Sequence, residues 1–196
     1  MKFSVVIPLI LLALTSCYSI PEVKPEPSLD EIRTRFTKSK VDFVNLGNLV
    51  LADEKIVGIY LNDEGILSFV TRGNEISKLQ AEAELEKVRT IMRKLPVLCV
   101  YKQWNADEPK KSYVCFRFWD NSIPTFDPQR EKGLIYSKDL PKSLFFRSVA
   151  PQDSPDLKFV PNSDLMPVEG KDELILLTQL EPCWWSMNYR HRNGAR

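Results

Sequence analysis

Apolar positions first fall into a regular period at Leu29, Ile32 and Phe36, a spacing that places side chains on one face of an α-helix. Ser28 and Glu31 stand in the S-x-x-E arrangement that satisfies a helix N-terminus from both sides. The pattern predicts a helix from Leu29 to at least Lys38. Residues 41–51 are rich in Val, Leu and Phe, and their period fits either more of that helix or a buried strand. Ile56 to Leu61 and Ile66 to Thr71 flank Asn62-Asp63-Glu64-Gly65, which predicts a hairpin with a four-residue turn. From Glu75 to Leu95 there is neither Gly nor Pro, and Leu85, Val88, Met92 and Leu95 form an apolar stripe. That segment is expected to be the long amphipathic helix, stopped by Pro96.

A second hairpin is expected from Val97 to Trp104 and Ser112 to Trp119 around the polar loop 105–111. Pairing symmetric about Asp107 sets Val100 against Val114 on an apolar face and Cys99 against Cys115 on the other. Opposed cysteines at a non-hydrogen-bonded site are close enough to bridge, so a Cys99–Cys115 disulfide is expected, with Cys183 free. A one-residue slip would break it. Beyond Asn121, prolines at 124, 128, 141, 151, 155, 161 and 167 cut the chain into short apolar islands, expected to be edge strands and loops. The fold class expected is therefore α+β. It comprises an antiparallel sheet built from two hairpins, one long amphipathic helix, a shorter N-terminal helix and an irregular proline-rich C-terminal third.

Residues before the patterned region follow a different logic. Lys2 precedes an apolar run from Phe3 to Leu14, interrupted by Pro8 and too short to span a bilayer comfortably. The run ends in Leu14-Thr15-Ser16-Cys17, which resembles the lipobox of bacterial lipoproteins. That resemblance implies cleavage before Cys17, a diacylglycerol on its sulfur and acyl chains (palmitate among them) as membrane anchor. Tyr18, where an aspartate would favour the inner membrane, implies the periplasmic face of the outer membrane. The organisation expected is a signal peptide at 1–16, a lipidated cysteine and proline-rich tether at 17–27, and one domain at 28–196. The tether has three prolines in Ile20-Pro21-Glu22-Val23-Lys24-Pro25-Glu26-Pro27. It reads as extended chain with a reach of up to ~30 Å.

Charge narrows the partners. The chain carries 27 basic and 26 acidic residues; without Lys2 the two signs balance, leaving no global field to attract nucleic acid. No nucleic-acid partner and no cofactor are expected. Glycine is scarce, at 7 against 14 prolines, and no phosphate-cradling loop, G-x-S-x-G, C-x-x-C or H-x-x-H occurs. His191, the sole histidine, is the sixth residue from the C-terminal end, with Cys183 its nearest conceivable nucleophile; neither is assigned a catalytic role, and no metal ligand is assigned. The aromatic-basic end offers Trp184, Trp185, Arg190 and Arg192 as contacts to a partner or membrane, residue types enriched at binding hot spots. Trp104, Tyr113 and Trp119 form a second aromatic group that suits core packing better than ligand stacking. The function expected is a membrane-anchored envelope lipoprotein that binds or assembles with an envelope protein or peptidoglycan. An envelope hydrolase acting on glycan or peptide through paired carboxylates is the alternative, and it requires a cleft lined by Trp104 or Trp119.

Overall fold

Ser28 opens the first helix in the computed structural model, which describes residues 25–62, 64–73, 77–103, 112–120, 130–138, 156–166 and 174–190. Its hydroxyl accepts the Glu31 N–H at 3.2 Å, and the Glu31 carboxylate accepts the Ser28 N–H at 2.7 Å. This helix, α1 (Leu29–Ala52), runs far past Lys38 with one kink at Ser39 (φ −119°, ψ 21°). Residues 41–51 are thus helical, because Phe36, Phe43, Leu46, Gly47 and Val50 lie on one buried face. A Cβ on Gly47 would stand 2.7 Å from the Tyr136 ring, so glycine lets the helix lie against that ring.

The first hairpin forms as expected, with β1 (Ile56–Leu61) and β2 (Leu67–Thr71) antiparallel. A 3-10 turn (Lys78–Gln80) follows, and then α2 (Glu82–Lys94). At 13 residues α2 is the shorter helix, against 24 for α1, reversing the expected order. Side-chain hydrogen bonds explain the late start. The Ser77 hydroxyl accepts the Leu79 N–H, and the Asp53 carboxylate accepts both the Ser77 hydroxyl and the Lys78 N–H. Those bonds hold the segment in a capped 3-10 turn instead of helix.

The remaining strands are β3 (Cys99–Gln103), β4 (Tyr113–Asp120), β5 (Arg130–Tyr136), β6 (Asp156–Phe159), β7 (Leu174–Glu181) and β8 (Trp184–Arg190). All eight strands make one sheet in the order β2-β1-β3-β4-β5-β8-β7-β6. Every neighbouring pair is antiparallel except β6–β7, which is parallel. This overturns the expected two-hairpin α+β arrangement. The fold is mostly sheet, mixed in direction, and half of its strands come from the C-terminal part expected to be irregular. None of the prolines that suggested fragmentation falls within a described strand, so the ladders of β5, β7 and β8 lose no donor.

The helices cover one face of the sheet. Trp184 sits at the centre of that layer, stacked on Tyr136 at 4.6 Å and meeting Phe36 at 4.9 Å and Phe116 at 5.7 Å. The opposite face carries a second buried cluster that includes Cys99, Tyr101, Cys115, Ile135, Ile175, Leu177 and Met187. A smaller one joins Met166, Leu174 and Leu176 beside a 3-10 turn at Ser163–Leu165. A sheet apolar on both faces reads as continuous hydrophobic runs, which is why β7 and β8 lack clear alternation.

The register of β3 and β4 differs from the symmetric one by two residues. Cys99 lies opposite Arg117, and Cys115 opposite Tyr101. Both cysteines keep to the same face but are displaced diagonally, and both thiols are free in this structure. The expected Cys99–Cys115 bridge is therefore corrected. Cys115 Sγ instead faces Met187 Sδ at 4.0 Å. A two-residue shift preserves which side chains face the helices, so the apolar pattern could not distinguish the two registers.

Candidate interaction edge

Three polar clusters stand out among the described residues, and each binds the chain to itself. Asp53, just past α1, accepts the N–H groups of Lys55 (2.9 Å) and Ile56 (3.1 Å) on one oxygen, and the Ser77 hydroxyl and Lys78 N–H on the other. Burial pushes its carboxyl upward, but these donors outweigh it and hold the group below its ordinary range. Lys102 of β3 donates to the carbonyls of Leu51 (2.8 Å) and Asp53 (2.9 Å), closing the C-terminus of α1. Every partner here is a structural one, and together they join helix, hairpin and central strand.

The second cluster ties down the chain's entry into the domain. Lys132 of β5, with 4% of its side chain exposed, reaches Asp164 at 2.6 Å, Glu26 at 2.9 Å and the Pro27 carbonyl at 3.0 Å. Asp164 also accepts the Leu29 N–H at 2.7 Å, and Arg130 donates to Glu26 at 2.7 Å. Burial raises the Asp164 carboxyl, while the Leu29 N–H and Lys132 lower it more, leaving it below the ordinary range. Glu26 and Pro27, placed in the tether by the sequence, are bound to the sheet. Nothing local in the sequence signals this, since Glu26 and Pro27 lie more than a hundred residues from Arg130 and Lys132 in the chain.

The third cluster lies on the face opposite the helices. Arg117 pairs with Asp120 at 2.9 Å and Glu131 at 3.3 Å and stands over the Tyr101 ring at 5.4 Å. Nearby, burial pushes the Cys99 thiol up to about 11 and the Cys115 thiol higher still. Both thiols are thus protonated at neutral pH and poor nucleophiles. The two carboxylates share one arginine.

The residues singled out from the sequence are scattered by the fold. Trp184 is core, and Arg190 is 4% exposed and held in the sheet, so neither is a surface contact. Trp185 is half-buried against the opposite cluster. Trp119 packs into the helix-covered core and does not line a cleft. Tyr113 is buried on the other face. Cys183 occupies the tight turn between β7 and β8 with φ of 69°. Cys17, Trp104, His191 and Arg192 lie outside the described residues. No group of three or more metal-binding side chains occurs among the described residues.

Unsatisfied pairing capacity is concentrated at the two ends of the sheet. The Asn62 N–H donates to the Ile66 carbonyl at 3.1 Å, and the Arg72 N–H to the Lys55 carbonyl at 2.8 Å. In an antiparallel ladder the inward positions alternate, so Ile66, Ser68, Val70 and Arg72 point their backbone groups at β1. The N–H and C=O groups of Leu67, Phe69 and Thr71 then point outward, where no described strand pairs with them. β2 reads Leu-Ser-Phe-Val-Thr: no charge, no proline, and high strand propensity. Exposed apolar groups surround it, with Ile66 54% and Val70 46% exposed, and Tyr60 on the neighbouring strand.

The other edge is built differently. β6 has four residues and includes Asp156 and Lys158; brevity and charge are devices that protect an edge from pairing. The two ends of one sheet thus differ in length and charge, β2 being the longer and uncharged one, while an exposed apolar side chain, Phe159, lies on β6 as well. Strand propensity located this hairpin, but only the strand order reveals that β2 is terminal. Comparison of the chain with protein-family models, with curated proteins and with solved structures returns no match.

Proposed function

We propose that this chain is a lipid-anchored module of the bacterial envelope that binds a partner protein by accepting its strand along β2. The lipobox-like Leu14-Thr15-Ser16-Cys17 supports anchoring through Cys17 in the outer membrane. The observation that carries the binding role is the uncharged outer edge of β2, with the backbone groups of Leu67, Phe69 and Thr71 directed away from the sheet. Strand addition to such an edge supplies main-chain hydrogen bonds for affinity and flanking side chains for selectivity.

The clamp at Lys132 gives this reading a geometry. With Glu26 and Pro27 bound to β5 and its surroundings, residues 18–25 span the distance from Cys17, ~25 Å at full polyproline extension. β2 lies four strand spacings from β5 in the sheet order, about 19 Å across. The point where the tether joins the domain and the binding edge thus stand at different places across the sheet.

The test is a photo-crosslinking amino acid placed at Val70, and separately at Lys158 on the protected edge, in intact cells. The expected result is a discrete protein adduct from position 70 that is absent from position 158. Equal labelling at both positions, or none at either, contradicts the proposal. Loss of membrane association in Cys17→Ser checks the anchor separately.

A further inference from the structure

Resting on that reading of β2, we infer that its partner strand is the β2 of a second copy of this chain, paired antiparallel about a two-fold axis at Phe69. The outward groups fit this arrangement without remainder. Phe69 exchanges both of its backbone hydrogen bonds with its own counterpart, and Leu67 exchanges both with Thr71 of the other copy. All outward groups of both strands are then paired. Such an interface is isologous, so each contact occurs twice and the assembly closes as a dimer.

The side chains agree with that register. Phe69, Leu67 and Thr71 share the helix-covered face, which places Phe69 beside Phe69 and each Leu67 beside a Thr71. On the other face Ser68 meets Val70, the close non-hydrogen-bonded pair. No charge lies within either strand, so none is buried or opposed. Charge appears only at the strand's two ends, and with opposite sign. Glu64 lies in the turn before β2 and Arg72 immediately after it, both exposed. Antiparallel pairing brings the acidic end of one copy to the basic end of the other, whereas a parallel pairing would set like against like. The product is one continuous sheet through two molecules, leaving the protected β6 edges outermost.

The test uses the full chain, purified in detergent, with the exposed pair Ser68 and Val70 changed together. In Ser68→Lys/Val70→Lys, lysines oppose lysines across the axis. In Ser68→Glu/Val70→Lys, each glutamate meets a lysine. Sedimentation is expected to give a dimer for the unmodified chain, a mass half as large for the double-lysine variant, and a dimer again for the glutamate–lysine variant. Self-association should weaken about tenfold or more in the double-lysine chain. The circular dichroism spectrum of that variant, recorded at the sedimentation temperature, should match that of the unmodified chain and so exclude unfolding as the cause. A monomeric unmodified chain overturns the inference, and so does a dimer indifferent to the lysines. If position 70 crosslinks only a different protein in cells, the self-pairing fails while the binding edge stands; no adduct at all removes both.

Discussion

Gly133 shows how one residue can be fixed by its neighbours rather than by its own backbone preference. A Cβ there would meet the Phe116 carbonyl oxygen at 2.3 Å, beside the irregularity between Arg117 and Trp119. Backbone cannot yield as a flexible side chain can, so Gly133→Ala should cost about 3 kcal/mol or more in chemical denaturation. Gly73, with nothing within 4 Å, lacks this steric conflict. Trp184 presents the opposite case of a residue fixed by what it fills. It is ringed by Phe36, Phe43, Phe116 and Tyr136, and Trp184→Ala should cost about 3–5 kcal/mol. Trp185→Ala should cost clearly less, since that ring is only half-buried. Near-equal losses by the same denaturation assay would contradict the assignment of the two faces.

At the scale of elements, the sequence was informative wherever local pattern sufficed. The Ser28 box, the β1–β2 hairpin and the stop at Pro96 were each legible, because a cap, a turn or a missing donor is a local event. The extent of α1 was not, since Phe43, Leu46 and Val50 are chosen by contact with the sheet. Nor was the β3–β4 register, because two registers two residues apart bury the same side chains. That correction is testable: alkylation of the unfolded, non-reduced chain should label Cys99 and Cys115 separately by mass spectrometry. A Cys99–Cys115 cross-linked peptide would restore the symmetric register.

The Lys132 cluster belongs to the same scale, joining the entry to α1, β5 and the Ser163–Leu165 turn. Removing the cation in Lys132→Met leaves the Asp164 and Glu26 carboxylates close together without it, an expected loss of about 3 kcal/mol. The pH dependence has a definite sign. Asp164 and Asp53 are both held below their ordinary value of 3.8 in the folded chain. They therefore contribute stability that is fully present above that value and is lost as pH falls through their folded values. Urea unfolding should show stability level at neutral pH and declining below about pH 4. The decline should be shallower in Asp164→Asn. A steeper decline in that variant would refute the clamp.

For the molecule as a whole, the decisive property is an asymmetry between the two ends of one sheet. The eight described strands leave two edges; β6 is short and charged, while β2 is neutral and has no described strand along its outer side. Of the two rings on which a hydrolytic cleft was expected, Trp119 is packed in the core, and Trp104 lies outside the described residues. None of this was readable from the lipobox-like Leu14-Thr15-Ser16-Cys17, which bears only on the proposed anchor. Strand order is set by contacts between distant segments, and the C-terminal strands occupy one end of the sheet while β2 occupies the other.

Backbone amide exchange tests the open edge most directly, measured on the Ser68→Lys/Val70→Lys chain, in which self-pairing is blocked. The amides of Leu67, Phe69 and Thr71 should exchange at nearly the free-peptide rate while those of Ser68 and Val70 stay protected by β1. Protection of all five in that chain would mean that β2 is already covered from within, and that the edge is not a binding surface.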